Sequence, residues 1–344
     1  MKTLLCPSCD WIYQIPDDIT PQHCPHCWRG GLTPVEETAF PVLPAEEQIP
    51  FNVSGPNLDL KILSFARGIP FAPKDLTPVN LRRRLQAIYL PMYLVDADVE
   101  ATWQGEVGFN YEVVSHREQY GGQGWQTQQV KETRIRWEPR VGRLKRTYHN
   151  IPAPGLEEHK QLIRQLGEYD FKASQFHSQV GSPVTGEPFV RLPNRSTADA
   201  WPDGIPSFQT AAADECRTAA QADHFREFRW QAAYANQNWT QLHLPVYTTY
   251  YLDDENRSQP VMLNGQTGRL FGVRRASMKR AQTTALWILL AAAAAFGISV
   301  VLALAGVVFP PLVVVGGIGI FVAFFVALGA IYPVFRVWQF NRSR

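Results

Sequence analysis

Three patterns predict the fold class of this 344-residue chain. Two Cys-x-x-Cys pairs, Cys6-Pro-Ser-Cys9 and Cys24-Pro-His-Cys27, open the sequence. Runs of alternating apolar and polar residues recur through its middle. Finally, 55 residues from Ala281 to Phe335 pass without one Asp, Glu, Lys or Arg. Together they predict a small zinc ribbon of β structure, an α+β cytoplasmic domain built on antiparallel sheet, and a two-helix transmembrane hairpin.

The ribbon is expected at 1–31. Zinc takes four soft ligands at tetrahedral corners, about 2.3 Å from sulfur, and a Cys-x-x-Cys turn supplies two thiolates from one knuckle. With 14 residues between the pairs, two knuckles on facing hairpins close a site. Disulfides are disfavoured in a reducing cytoplasm, and a redox Cys-x-x-Cys would not come twice. The expectation is one structural Zn2+ on Cys6, Cys9, Cys24 and Cys27, with His23 and His26 as adjacent spare ligands. So small a unit buries too little core alone, so the metal supplies its folding energy. Only Lys2 and Arg29 are basic here, against Asp10, Asp17 and Asp18. That is a poor phosphate-binding surface, and a protein-contact or structural role is favoured.

Residues 32–50 carry Pro34, Pro41, Pro44 and Pro50 with Glu36, Glu37, Glu46 and Glu47. This composition reads as a semi-rigid acidic linker that tethers the ribbon without packing it. The α+β domain follows at 51–272. Leu81, Leu85 and Ile88 have helical spacing, whereas Val95, Ala97, Val99, Ala101 and Trp103 alternate with polar residues as in a half-buried strand. Gly121 to Gly124 is a turn between strands near 107–118 and 126–138. Helices are expected around Leu156–Leu166 and over about Ala211–Tyr234. A strand returns at Leu242–Tyr250, and Asn264-Gly265 marks a tight hairpin. Leu90-Pro91-Met92-Tyr93 and Leu244-Pro245-Val246-Tyr247 repeat one pattern, so the domain reads as two related meanders.

Candidate chemistry there is thin. Asp96, Asp98 and Glu100 share one strand face, where a divalent ion or plain solvation would both suit them. Lys131, Arg134, Arg136, Arg140, Arg143, Lys145 and Arg146 face only Glu132 and Glu138 in their own segment. With Trp137 and Tyr148 they form a candidate patch for an anionic ligand, nucleic acid or lipid headgroups. Cys216 stands alone and reads as an inert thiol. No Walker loop, nucleophile elbow or dinucleotide fingerprint is present, so no catalytic residue is assigned and an enzyme is not expected.

A single helix through the uncharged stretch would run about 80 Å, against a bilayer core of about 30 Å. Pro310-Pro311 supplies the turn, giving spans at 284–309 and 312–334. Arg274, Arg275, Lys279 and Arg280 lie in the basic segment 273–283, and Arg336, Arg342 and Arg344 in the tail 335–344. The connecting turn is uncharged. The positive-inside rule then puts both termini in the cytoplasm of a multi-pass membrane protein. Gly319, Ala323 and Ala327 form a small-residue stripe for packing the two helices or an oligomer. Without the tail, residues 1–280 carry 30 basic and 31 acidic groups, so any attraction to polyanions must be local.

The order of parts resembles a known family. The paired cysteines, Ile49-Pro50-Phe51, Phe71-Ala72-Pro73, the run YLPMYLVDADVEATWQG at 89–105, LHLPVYTTYYL at 242–252 and LNGQTGRLFG at 263–272 precede the apolar helices. This resembles the bacterial zinc-ribbon membrane proteins, loosely labelled helicase-like or transcription-factor-IIB-type ribbon proteins. No helicase motif is present. The resemblance implies a bacterial inner-membrane anchor working with phage-shock-protein-A-like or flotillin-like scaffolds in envelope stress. The functional expectation is a non-enzymatic adaptor that recruits an unidentified cytoplasmic or membrane protein, compatible with a homo-oligomer. The alternative is a membrane-tethered nucleic-acid-binding regulator using the ribbon and the 131–146 hairpin.

Overall fold

The computed structural model describes residues 1–35, 42–53, 55–121, 124–173, 175–176 and 187–343. Its first elements are three short strands: β1 (Lys2–Leu5), β2 (Ile12–Ile15) and β3 (Thr33–Pro34). Next come β4 (Ala45–Gln48), α1 (Gly55–Arg67) and α2 (Pro78–Arg83). Two long strands follow, β5 (Gln86–Gly121) and β6 (Gly124–Pro154), and then α3 (His159–Leu166), β7 (Gln175–Phe176) and β8 (Phe189–Arg191). The helix α4 (Thr197–Ala219) leads into β9 (His224–Leu252), β10 (Ser258–Asn264) and β11 (Leu270–Gly272). The chain ends in α5 (Met278–Ala305), α6 (Pro311–Gly329) and α7 (Ile331–Arg342).

All strands belong to one mixed, mostly antiparallel sheet, with the path β11-β10-β9-β5-β8-β2-β1-β3 and with β6 also on β5 and β4 on β9. The two Leu-Pro motifs lie on its central pair, where Leu90 faces Leu244. Around them residues on both faces of β5 are buried, from Ala87 to Val95.

The cysteine-bearing strands are not a tethered unit. Tyr13 pairs with Arg191 on β8, and β8 runs parallel to β5 at Ile88 and Tyr89. Trp11, Tyr13 and Ile15 share one core with Ile88, Leu90 and Leu244. The Pro/Glu composition of 32–50 concealed this because β4 needs only backbone groups to pair with β9 at Leu242 and His243. Glu36, Glu37 and Pro41 lie outside the described residues, as do Gly122 and Gln123 of the expected turn.

The helix expected over 211–234 is corrected in both directions. It begins earlier, at Thr197, where Ser196 Oγ accepts from the Asp199 N–H. Pro202, Gly204 and Pro206 argue against a helix locally. Burial of Ala200, Gly204, Phe208, Ala212 and Cys216 at helical spacing outweighs them. The helix stops at Ala219, Gln221 takes φ 52°, and β9 starts at His224. The Ala-rich stretch 231–235 is strand because β5 pairs with it residue for residue. Likewise Ile88 belongs to β5, not to α2, which holds Leu81 and ends at Arg83.

Three strands outrun the body as an arm. β9 pairs with β5 as far out as Gly108, while β5 and β6 stay paired to Gly121 and Gly124. The tip from Phe109 to Gly121 is thus two-stranded and projects about 40 Å at strand rise. α4 covers one face of the arm's base, with Phe208 against Val95, Ala97 and Val99.

At the other end, α5 and the α6–α7 pair are long and apolar enough to cross a membrane, by length and composition. They pack through small residues: a Cβ on Gly316 would lie 2.6 Å from the Ala303 nitrogen, and one on Gly319 2.9 Å from Ser299 Cβ. Close approach of this kind is how apolar helices gain contact without a hydrophobic driving force. Val337 and Phe340 on the second limb pack with Ala281 into the body's core, so the basic tail is a docked helix.

Candidate metal centre and polar arm

Each knuckle is built the same way. The Asp10 N–H donates to the Cys6 carbonyl at 2.9 Å, and the Trp28 N–H to the Cys24 carbonyl at 2.9 Å. Asp10 and Trp28, each directly after a pair's second cysteine, both adopt positive φ, 57° and 55°. That left-handed residue reverses the chain so that both thiols of a pair face inward. It is unusual for a tryptophan, and the tertiary contact of Trp28 with Tyr250 (ring centroids 4.8 Å) holds it there.

The four sulfurs lie within 4.8 Å of one another. Cys6 and Cys27 Sγ are 3.7 Å apart, and Cys9 and Cys24 Sγ 3.6 Å. Four thiolates on a tetrahedron about 2.3 Å from a zinc ion stand about 3.8 Å apart, so the spacing fits the group. The thiols are crowded electrostatically: the hydrogen bond from Cys9 lowers the Cys24 thiol to about 4, and the same bond pushes Cys9 up. All four can ionise together only around a cation, so this cluster could hold a metal ion. Among the described residues no other group of His, Cys, Asp or Glu does so.

The spare histidines take no part in the cluster. His23 is exposed. His26 lies flat on Trp11, centroids 3.8 Å apart and planes within 7°, and burial holds its pKa below the ordinary range. Sequence reading missed the surrounding groups. Tyr13 Oη lies 3.6 Å from Cys24 Sγ. Arg191, 1% exposed, donates to the Ile12 and Leu192 carbonyls and stacks over Trp11 at 5.0 Å. Four thiolates around a divalent cation would leave net negative charge beside this buried guanidinium, which also faces Glu158 at 4.0 Å. Arg191 comes from β8, far away in sequence, and no local signal marks it.

Asp96 and Asp98 have a structural use. On either side of this point in β5 the neighbouring strands bulge, with Asn150 at φ 55° and Asn236 at φ 51°. Asp96 accepts from the Asn150 N–H at 2.8 Å, and Asp98 from Thr147 Oγ1 at 2.6 Å and Asn236 Nδ2 at 2.7 Å. These bonds hold Asp98 below the usual carboxylate range. Glu100 instead pairs with Lys145.

The seven basic residues line β6, and six have acidic partners. Lys131 meets Glu112, Arg134 meets Glu132, Arg136 and Arg140 share Glu138, Lys145 meets Glu100 and Arg146 meets Glu215. Only Arg143 among them lacks an acid partner in the described residues. Over residues 96–148 and 224–240 the arm carries ten Lys/Arg against nine Asp/Glu. Glu132 and Glu138 lie in the same sequence window, whereas Glu112 and Glu100 arrive from β5 and Glu215 from α4, out of its reach. Cys216 is buried on α4, which raises its thiol pKa.

The basic residues flanking the apolar helices sit around their bases. Arg274 stacks over Phe65 at 5.0 Å, Arg280 donates to the Ala72 carbonyl, and Lys279 to Asp254. Arg275 donates its backbone N–H to Tyr251 Oη at 2.9 Å. Arg336 and Arg342 lie over Tyr332 and Trp338. Arg344 is outside the described residues. Comparison with family models, curated proteins and solved structures gives no match.

Proposed function

We propose that this chain is a non-enzymatic, membrane-anchored zinc-ribbon adaptor of a bacterial inner membrane. Zn2+ on Cys6, Cys9, Cys24 and Cys27 closes one edge of the sheet. The two apolar helices form a transmembrane hairpin with both termini cytoplasmic. The arm recruits a protein partner, a membrane-stress scaffold being the class that the family resemblance implies. The arm is the observation that carries this reading. Among the described residues, its tip beyond Gly108 has strand edges with no further strand paired to them and no fully buried side chain. Isolated two-stranded hairpins are marginal in water, and exposed edges are natural templates for an added strand.

Nucleic-acid binding through 131–146 finds less support, because acids from β5 and α4, together with Glu132 and Glu138 of the strand itself, pair with six of its seven basic residues. It would require affinity that falls steeply with salt. The adaptor reading is tested by crosslinking in native membranes with the intact chain and with one in which 109–136 is replaced by a two-residue turn. The expected result is a recurrent partner captured by the first and lost by the second, with zinc content and membrane fractionation unchanged. Equal capture by both would remove the arm from the proposal.

A further inference from the structure

Outside the apolar helices, the exposed large apolar residues fall into two main groups. Tyr111, Val114, Ile135 and Val141 belong to the arm. Leu60, Leu63, Phe271 and Val273 belong to the body and are 64%, 40%, 41% and 42% exposed. The second group is not scattered. Leu60, Leu63 and Arg67 share the face of α1 opposite its buried Leu58, Ile62 and Phe65. β11, which carries Phe271, packs beside α1, and Val273 follows it directly.

This shoulder is continuous with the foot of the apolar hairpin. The end of α1 lies under Arg274, whose guanidinium covers Phe65. The next loop grips α5: the Phe71 carbonyl accepts from the Ser277 N–H at 2.9 Å and the Ala72 carbonyl from Arg280. Phe71 adopts φ 51° to do so, a conformation unfavourable for a bulky residue and tolerated where surrounding structure enforces it. Asn341 on α7 clamps Ala276 from the other limb, through its N–H at 2.9 Å and its carbonyl at 3.0 Å. One core joins Phe65, Ile69, Ala276, Ala281 and Val337. The shoulder is therefore held rigidly at the level where α5 begins.

The charges on its own segments are mostly basic, while Asp254 accepts from Ser277 Oγ and the Lys279 N–H at the foot of α5. Lys61 and Arg67 lie on α1, and Arg269, Arg274 and Arg275 flank Phe271 and Val273 along the chain, with Arg274 over Phe65 and Arg269 donating to the Arg164 carbonyl. The single acid of α1, Asp59, is taken by Arg82 at 3.1 Å, and residues 260–280 contain no acid. Exposed apolar side chains on segments rich in Lys and Arg, beside an apolar helix long enough to span a membrane, have the composition of an interfacial, anionic-lipid-binding surface.

We propose that α1 and the β11–α5 connection form a lipid-binding shoulder, which seats Leu60, Leu63, Phe271 and Val273 in the headgroup region and holds anionic phospholipid with Arg67, Arg274 and Arg275. This rests on the transmembrane hairpin of the preceding section, so the experiment separates the two. The full-length protein is reconstituted in phosphatidylcholine vesicles with and without phosphatidylglycerol. A photoreactive benzoylphenylalanine replaces Leu60, Phe271 or, as the control inside α6, Phe321. Lipid adducts are read by mass spectrometry. The expected result is capture at 321 in both vesicles, and capture at 60 and 271 that strengthens with phosphatidylglycerol. Arg67→Gln and Arg275→Gln should each weaken that gain about fivefold. Capture at 321 with none at 60 or 271 overturns the shoulder alone. No capture at 321 overturns the transmembrane hairpin and the shoulder with it.

Discussion

The two ends of β5 are one strand in two environments. From Ala87 to Val95 nearly every side chain is buried, on both faces, among Leu244, Val246 and the cysteine-bearing strands. From Phe109 to His116 the same strand has one neighbour among the described residues, half-buried or exposed side chains, and an ion pair from Glu112 to Lys131. The first end is held by apolar burial, whose strength grows with the area removed from water. The second is held by backbone pairing and exposed charge pairs, each worth about 0–1 kcal/mol. A tip stabilised that weakly is where the proposed partner contact is placed.

This contrast ranks the effects of perturbation. The largest belongs to the cysteine cluster, which packs into the body's core. Chelation, or Cys24→Ala, removes metal binding of order 10 kcal/mol in small zinc modules. The expected outcome is loss of near-ultraviolet circular dichroism from the body together with loss of one metal per chain by elemental analysis. If the body keeps its signal without metal, the cysteine strands are accessory to the core. Next is Phe208, fully buried between α4 and the arm's base. Phe208→Ala should destabilise the fold by about 3–5 kcal/mol in denaturant titration in mild detergent.

A smaller effect comes from Asp75. Burial raises its pKa, but the hydrogen bonds from Arg84 and from the Leu252 N–H outweigh that and hold it below 3.8. A folded-state pKa below the unfolded one gives stability that is complete above the unfolded value. It is lost as pH falls below about 4 through the folded value. Asp75→Asn should therefore cost about 1.5–3 kcal/mol at neutral pH and flatten the acid limb of the melting curve. The smallest effect is at the tip. Arg134→Ala with Arg136→Ala should change global stability by less than about 1 kcal/mol. A larger loss in the same titration would mean that the tip is part of the cooperative core.

Legibility in the sequence followed the range of the interactions. The cysteine quartet was readable because both cysteines of each knuckle are local, and the apolar helices because a long uncharged run is visible in composition alone. The strand at Val95–Trp103 was readable because half-burial leaves a period of two. The helix at Thr197 was not, because Pro202 and Pro206 are poor helix residues rescued by packing against β6 and β9. Nor was the pairing of Tyr13 with Arg191, which joins positions far apart in the chain. The basic strand was readable as composition, whereas its neutralisation by Glu112, Glu100 and Glu215 belongs to the sheet.

The central claim, that the arm is a partner-binding limb on an anchored body, is tested most directly by amide hydrogen exchange. Exchange is measured on the full-length protein purified in detergent and on the same protein in native membranes of its own cell. The account predicts fast exchange over 109–136 after purification, marked protection there in native membranes, and slow exchange over 87–95 in both. Protection of 109–136 that is the same in both preparations would contradict it.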